Sequence, residues 1–255
     1  MPRLPGLDAI ALHHCPVCTR ELSHTAMSVP DTSPPAIALQ GIDASALRRE
    51  YRRDELLESE AGDDPLALFQ RWFDEALSAG IVEANAFILS TVQASGRPSS
   101  RTVLLKSMDD DGFVFYTNYQ SSKAEQIAQQ GAVAMLFLWA QLERQIRIEG
   151  YAVKVSAEES DAYFLARPLA SRLGAWASPQ SSVIASRSVL EECLADCEKR
   201  FGDNPPRPPH WGGYRVVPDK LEFWQGRRSR LHDRLRYRRE APSAHCPWVL
   251  ERLAP

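Results

Sequence analysis

Between Ala86 and Val155 the chain breaks into short apolar runs divided by turn signals, and this limits it to few folds. Ala86–Gln93 and Ser100–Lys106 flank Ser95-Gly96, the signature of a hairpin. Phe113–Thr117 follows an Asp-Gly turn, and Val133–Trp139 and Gln145–Val155 add two more strands. Tyr214–Val217, Leu221–Trp224, Leu231–Arg238 and Trp248–Arg252 read as further strands near the C-terminus. Strands this short, joined by hairpins and flanked by helices, predict a mainly β, α+β chain built as a closed antiparallel barrel. No Gly-x-Gly-x-x-Gly opens a βαβ unit, which disfavours a Rossmann cofactor site.

The helices sit around these strands. Asp64-Pro65 suits N-cap and first helical position, and Leu66, Phe69, Phe73 and Leu77 recur at helical spacing until Gly80. Ser121–Gln130 closes at Gly131, and Ser156-x-x-Glu159 is a capping box opening a helix through Tyr163 and Arg167. Ser188–Phe201 reads as a helix and Asp203–Pro209 as a proline-rich loop. Ala44–Arg53 begins the ordered chain, and Asp54–Asp64 reads as an acidic solvated linker. Residues 1–40 hold six prolines without periodicity and read as a flexible extension, separate from a domain over 41–255; Met27 is a possible internal start.

Of the 255 residues 44% are hydrophobic, enough for a core, and the net charge of -3 provides no global basic field for nucleic acid or membrane. The seven arginines between Arg227 and Arg239 come without an aromatic stacking platform, so nucleic-acid binding is disfavoured. No apolar run of about 18 residues is present, and no basic-then-apolar leader opens the chain. Five cysteines argue against a disulfide framework, and a reducing cytoplasm is the expected home. Cys15-x-x-Cys18 has the spacing of half a zinc site or a redox pair, but no second pair follows and Cys193 and Cys197 are i,i+4 on a helix; no metal is expected.

The chemistry concentrates at Glu222-Phe-Trp-Gln-Gly-Arg-Arg-Ser-Arg-Leu-His-Asp-Arg234. On a strand Arg230, His232 and Arg234 share one face, which favours a bound anion; a solvated basic edge is the other reading. Arg101 and Lys106 end one strand on opposite faces, and Lys123 opens a helix whose N-terminus suits an anion. Tyr163 and Arg167 are i,i+4 on a helix, with Pro168 ending it and Ser171 on the loop beyond; phenol, guanidinium and hydroxyl together suit a phosphate monoester, or form an ordinary aromatic–cation pair.

The block from Glu222, with Arg101-Thr-Val-Leu-Leu-Lys106, Phe115-Tyr-Thr-Asn118, Glu143-Arg-Gln145, Tyr163-Phe-Leu-Ala-Arg-Pro168, Gln180-Ser181 and Glu251-Arg-Leu-Ala-Pro255, resembles the pyridoxine (pyridoxamine) 5'-phosphate oxidases, in order, from about Leu47 to Pro255. The resemblance implies an FMN-binding split barrel of antiparallel Greek-key type and a homodimer with FMN at the subunit interface. It implies FMN contacts at Arg101, Thr102, Val103, Leu104, Tyr116, Thr117, Ser122, Lys123, Gln145, Gln180, Ser181, Trp224 and Arg234. It implies substrate contacts at Lys106, Tyr163, Arg167, Ser171, Arg230, Leu231 and His232, with Arg48 and Tyr51 on a segment closing over the site. Arg230 and His232 are the expected catalytic pair. The implied reaction moves a hydride from C4' of pyridoxine or pyridoxamine 5'-phosphate to flavin N5, and dioxygen is then reduced to hydrogen peroxide. The amine's imine hydrolyses to pyridoxal 5'-phosphate and ammonia.

Where that family has an Arg-Lys pair for the FMN phosphate, this chain has Ser122-Lys123. Losing a charge-assisted bond worth about 1.5–3 kcal/mol implies weaker FMN binding. Two rivals remain: another flavin oxidase of the same barrel, such as a phenazine-pathway enzyme, and a non-catalytic flavin or pyridoxal-phosphate binder. The Tyr163, Arg167 and Ser171 set disfavours the first, and the Arg230-Leu-His232 triplet the second.

Overall fold

A computed structural model describes Tyr51, residues 55–240 and residues 246–255. Arg48, Cys15, Cys18, the 1–40 extension and the start of the ordered chain expected at Ala44–Arg53, apart from Tyr51, lie outside the described residues. The acidic linker contains a four-residue helix, α1 (Glu58–Ala61). Helix α2 (Pro65–Ser78) starts as its sequence demands: Asp64 Oδ1 accepts from the Leu66 N–H at 2.9 Å and Pro65 occupies the first turn.

The strands are β1 (Ala86–Val92), β2 (Pro98–Leu104), β3 (Ser107–Asp109), β4 (Gly112–Asn118), β5 (Ala132–Trp139), β6 (Arg144–Lys154), β7 (Trp211–Gln225), β8 (Asp233–Arg238) and β9 (Val249–Arg252). The helices after α2 are α3 (Ser122–Gln130), α4 (Ala157–Ala166), α5 (Leu169–Ala177) and α6 (Arg187–Phe201). Every described pairing is antiparallel, in the order β2-β1-β5-β6-β7-β4-β3, with β8 on β7 and β9 on β8.

This order shows how the expected barrel closes. β2 and β3 stand at opposite ends of the path and no rungs join them, yet only Leu105 and Lys106 separate them in the chain. Two residues span at most about 10 Å from Leu104 to Ser107, so the sheet must curl until its ends meet. Chain continuity, rather than hydrogen bonding, completes the barrel.

Alternation fills its interior. β4 and β5 turn Phe113, Phe115, Met135 and Phe137 inward, and β7 adds Leu221 and Phe223. α2 plugs the barrel through Phe69, edge-on to Phe113 at 4.9 Å and Phe137 at 5.2 Å. Such ring pairs contribute about 0.5–1.5 kcal/mol each beyond their burial.

Two strands expected at Tyr214–Val217 and Leu221–Trp224 are one strand, β7. Pro218 cannot donate to a ladder, and the chain accommodates it at a bulge where Gly150 faces Pro218 and the next rung pairs Glu149 with Lys220. A Cβ on Gly150 would lie 2.2 Å from the Val217 carbonyl oxygen, so only glycine fits. β3 and α5 were not expected from the sequence.

Candidate active site

The first cluster gathers around α3. Arg101 on β2 donates to Leu89 O, Thr91 Oγ1, Ser99 Oγ and Gln126 Oε1. Lys123 donates to Gln180 Oε1 at 2.9 Å and to Thr117 Oγ1 and Ser121 Oγ at 3.1 Å. Every one of these acceptors is neutral. Burial, with the Arg101 charge second, pulls the Lys123 ammonium down to about 8. Two partly buried cations without a carboxylate form a site for an anion. Ser121 caps α3 without a side-chain bond, and only the Ala124 amide of the first turn is bonded back to the Ser121 carbonyl, so the helix start faces the same anion. Ser122 is exposed on that turn.

The second cluster adjoins the first at Gln180. A cavity of about 280 Å³ is lined by Asn118, Arg167, Ser171, Ser178, Gln180 and Trp211, among others. Arg167 stacks its guanidinium 4.5 Å from the Trp211 ring centre, while its buried Nη1 has no hydrogen-bond partner. Burial pushes the Arg167 pKa down. Tyr163 stacks on Tyr116 at 3.9 Å, and both rings lie nearly parallel to Trp211. Burial, then Glu159, pushes the Tyr116 phenol up to about 12.

Tyr163 and Arg167 do converge, but not on a shared helical face. α4 ends at Ala166 and Arg167 is extended, with ψ 150°. A following proline disfavours helical backbone at the residue before it, and Trp211 gathers the two side chains instead. Ser171 is on α5, not on a loop. Lys106 is also off the expected strand, because β2 ends at Leu104; it is exposed in the two-residue link to β3, its N–H bonded to Val114 O. Thr102 is exposed, and Val103 and Leu104 are half-buried beside Arg101. Ser181 is exposed at φ 72°, next to Gln180.

The third cluster lies at the other end of β7. Gln145, Trp224 and Arg234 form one rung row across β6, β7 and β8. Trp224 packs on His232 at 4.6 Å, and Tyr51 meets both rings edge-on at 5.6 and 5.5 Å. Arg234 pairs with Glu222 and donates to Ala254 O. Arg230 and His232 do not share a strand face, because β8 begins only at Asp233. Ser229 and Arg230 take left-handed backbone (φ 57° and 61°) in a tight turn, leaving Arg230 exposed and Leu231 70% exposed.

His232 is fixed differently. The Arg227 N–H donates to its Nδ1 at 3.0 Å. Nδ1 is therefore an acceptor, and the neutral ring carries its proton on Nε2. Burial, then Arg230, lowers the His232 pKa and favours this neutral form.

Trp211, Thr91 and Gln126 escaped sequence reasoning. Thr91 and Gln126 are buried and bonded to each other, and they hold Arg101. Their only sequence signal was a polar residue on the inward face of β1 and another on the inward face of α3. Among the described residues no His, Cys, Asp or Glu cluster fits a metal, and no described helix is long and apolar enough to cross a membrane.

Residues 73–197 match the sequence model of the family described as "Pyridoxamine 5'-phosphate oxidase". Residues 211–255 match "Pyridoxine 5'-phosphate oxidase C-terminal dimerisation region". A pyridoxine/pyridoxamine 5'-phosphate oxidase of Burkholderia cenocepacia is 58% identical over 209 residues, 82% of this chain and 97% of that protein. The chain belongs to the pyridoxine/pyridoxamine 5'-phosphate oxidase family. A namesake from Ralstonia pickettii is 54% identical over the same shares. Among solved structures, PhzG from Burkholderia lata 383 in complex with tetrahydrophenazine-1-carboxylic acid has a TM-score of 0.73 at 33% identity, covering 79% of this chain and 98% of that one. A pyridoxamine 5'-phosphate oxidase-related, FMN-binding protein from Nostoc punctiforme has a TM-score of 0.59 at 22% identity, covering 73% of this chain and 97% of its own, a likeness of fold. The fold is therefore the split barrel of this family.

Proposed function

We propose that this chain is an FMN-dependent oxidase converting pyridoxine and pyridoxamine 5'-phosphates to pyridoxal 5'-phosphate. FMN is the cofactor, and the chain's residues fit it. The anion site of Arg101 and Lys123, with Thr117 and the α3 amides, suits its phosphate. When bound, FMN accepts a hydride from the substrate and passes the electrons to dioxygen.

The observation that carries the reading is the buried, unpartnered Arg167 Nη1 beside the cavity holding Ser171. A guanidinium with an unsatisfied donor, next to a hydroxyl and near the Tyr163 phenol, suits a substrate phosphate. Exposed Lys106, between β2 and β3, supplies a further cation. His232, neutral and protonated on Nε2, donates to the reacting end of the substrate, and exposed Arg230 helps to hold it there.

Both ends serve one reaction only if two copies of the chain meet. Trp211 opens β7 and Trp224 nearly closes it, and a 15-residue strand runs on the order of 45 Å. Even a right-angled bend at Pro218 leaves about 30 Å between the ends. A ligand pocket of 300–1,000 Å³ is on the order of 10 Å across. The Arg167 end of one copy therefore works with the His232 end of another, in a homodimer that the matched dimerisation region supports.

A phenazine-type oxidation is the second reading, favoured by the likeness to PhzG. The test is anaerobic reduction of the bound flavin. Pyridoxine 5'-phosphate should bleach it, and unphosphorylated pyridoxine should bleach it far more slowly. Reduction by a phosphate-free tricyclic acid alone would favour the second reading, and a spectrum that stays oxidised with every donor would mean a binding protein.

A further inference from the structure

At the edge of the third cluster, the C-terminal strand grips the segment from Glu55 to Glu58. Arg252 on β9 donates to both carboxylate oxygens of Glu58 (2.6 and 2.7 Å), to Asp233 Oδ1 at 2.8 Å and to Leu56 O at 2.9 Å. Asp233 Oδ2 accepts from the Leu56 N–H at 3.2 Å, so both main-chain polar groups of Leu56 are held. The Leu56 side chain is buried, and Arg227 reaches Glu55 at 2.7 Å.

These contacts converge on the reactive rings. Asp233 directly follows His232 in the chain, and Arg227 both bonds Glu55 and fixes the His232 tautomer. Tyr51 lies against His232, Trp224 and Gly226, where a Cβ would come within 2.8 Å of the Tyr51 ring. The Arg252 guanidinium meets four acceptors at this edge, and one of them belongs to Leu56, which is packed in the core. A lone exposed ion pair contributes little, but a planar fork that ties a carboxylate on α1, one on β8 and a main-chain carbonyl sets geometry.

We propose that Arg252 is a latch: it holds the Glu55–Glu58 segment on β8 and so positions Tyr51 and His232 for the reaction without touching substrate. The inference rests on the oxidase reading for its kinetic arm only. Arg252 is a positioning residue, and Glu58 and Asp233 are the two catches it joins.

Three variants test it: Arg252→Gln, Arg252→Lys, and Glu58→Gln, the last altering only a half-exposed catch and so sparing the fold. Amide hydrogen exchange over residues 55–58 should accelerate about tenfold or more in Arg252→Gln and Glu58→Gln, with β6 and β7 unchanged. Single-turnover flavin reduction should slow on the order of tenfold, with FMN content and substrate KM near the parent's. Arg252→Lys should recover part of both. Exchange over 55–58 at the parent rate in both Gln variants would overturn the latch, as would loosened exchange with parent-rate reduction. If the parent's flavin is never reduced by pyridoxine 5'-phosphate, the oxidase reading fails and the exchange data alone decide the latch.

Discussion

Burial and the neighbouring Arg101 bring the Lys123 ammonium down to about 8, which makes anion binding depend on pH. A bound phosphate favours the charged amine and raises its pKa. Below about 8 the free protein already carries the charge, and FMN affinity should be flat. Above it, binding must take up a proton, and affinity should fall by up to about tenfold per pH unit. Fluorescence titrations of FMN from pH 6 to 10 check this; a flat profile would remove Lys123 from the phosphate site. Ser122 lies exposed on the same turn, and Ser122→Arg should tighten FMN about tenfold, the worth of one charged hydrogen bond. Arg167→Ala should raise KM for pyridoxine 5'-phosphate on the order of 10- to 100-fold while FMN content holds; equal loss of both would assign Arg167 to the flavin site or the fold. The cations were legible from sequence because charge and spacing advertise them. Their surroundings were not: Thr91 and Gln126 reach Arg101 from different elements, and only the folded chain brings them together.

At the scale of elements, local chemistry predicted what local chemistry controls. Asp64-Pro65 and Ser156-x-x-Glu159 opened helices, with Asp64 accepting from the Leu66 amide and Ser156 from the Glu159 amide, but the Glu159 carboxylate pairs with Arg215. The misreadings have local causes as well. Pro168 pushes Arg167 out of the helix, a rule available in the sequence but outweighed there by the i,i+4 spacing. Helix α5 follows directly and carries Gly174 inside it, which blurs its signal. β7 continues through Pro218 because the bulge opposite removes the need for a donor. That junction is tightly packed: Gly150→Ala would drive a Cβ into the Val217 carbonyl. It should destabilise the fold by about 1–3 kcal/mol, read as a lower midpoint in urea with an unchanged slope. An unchanged midpoint would mean that the bulge yields freely.

For the whole molecule, the barrel was legible from strand count and turns, whereas a site at the subunit interface was implied only by the family resemblance. Period and spacing place residues on faces, but they do not say that Arg167 and His232 belong to opposite ends of one strand. The proposed two-copy site rests on that separation. On the proposed reading, each site of a two-fold dimer would draw Arg167 from one copy and His232 from the other. With substrate held near the parent's KM, Arg167→Ala and His232→Ala homodimers should each reduce flavin far more slowly than the parent. Unfolding and refolding an equal mixture should yield mixed dimers in which one of the two sites has both native residues. About a quarter of the parent's flavin-reduction amplitude, at the parent rate, should return on random mixing. No recovery from a mixture shown by mass to contain the mixed dimer would contradict the account, and would place both halves of the site in a single chain.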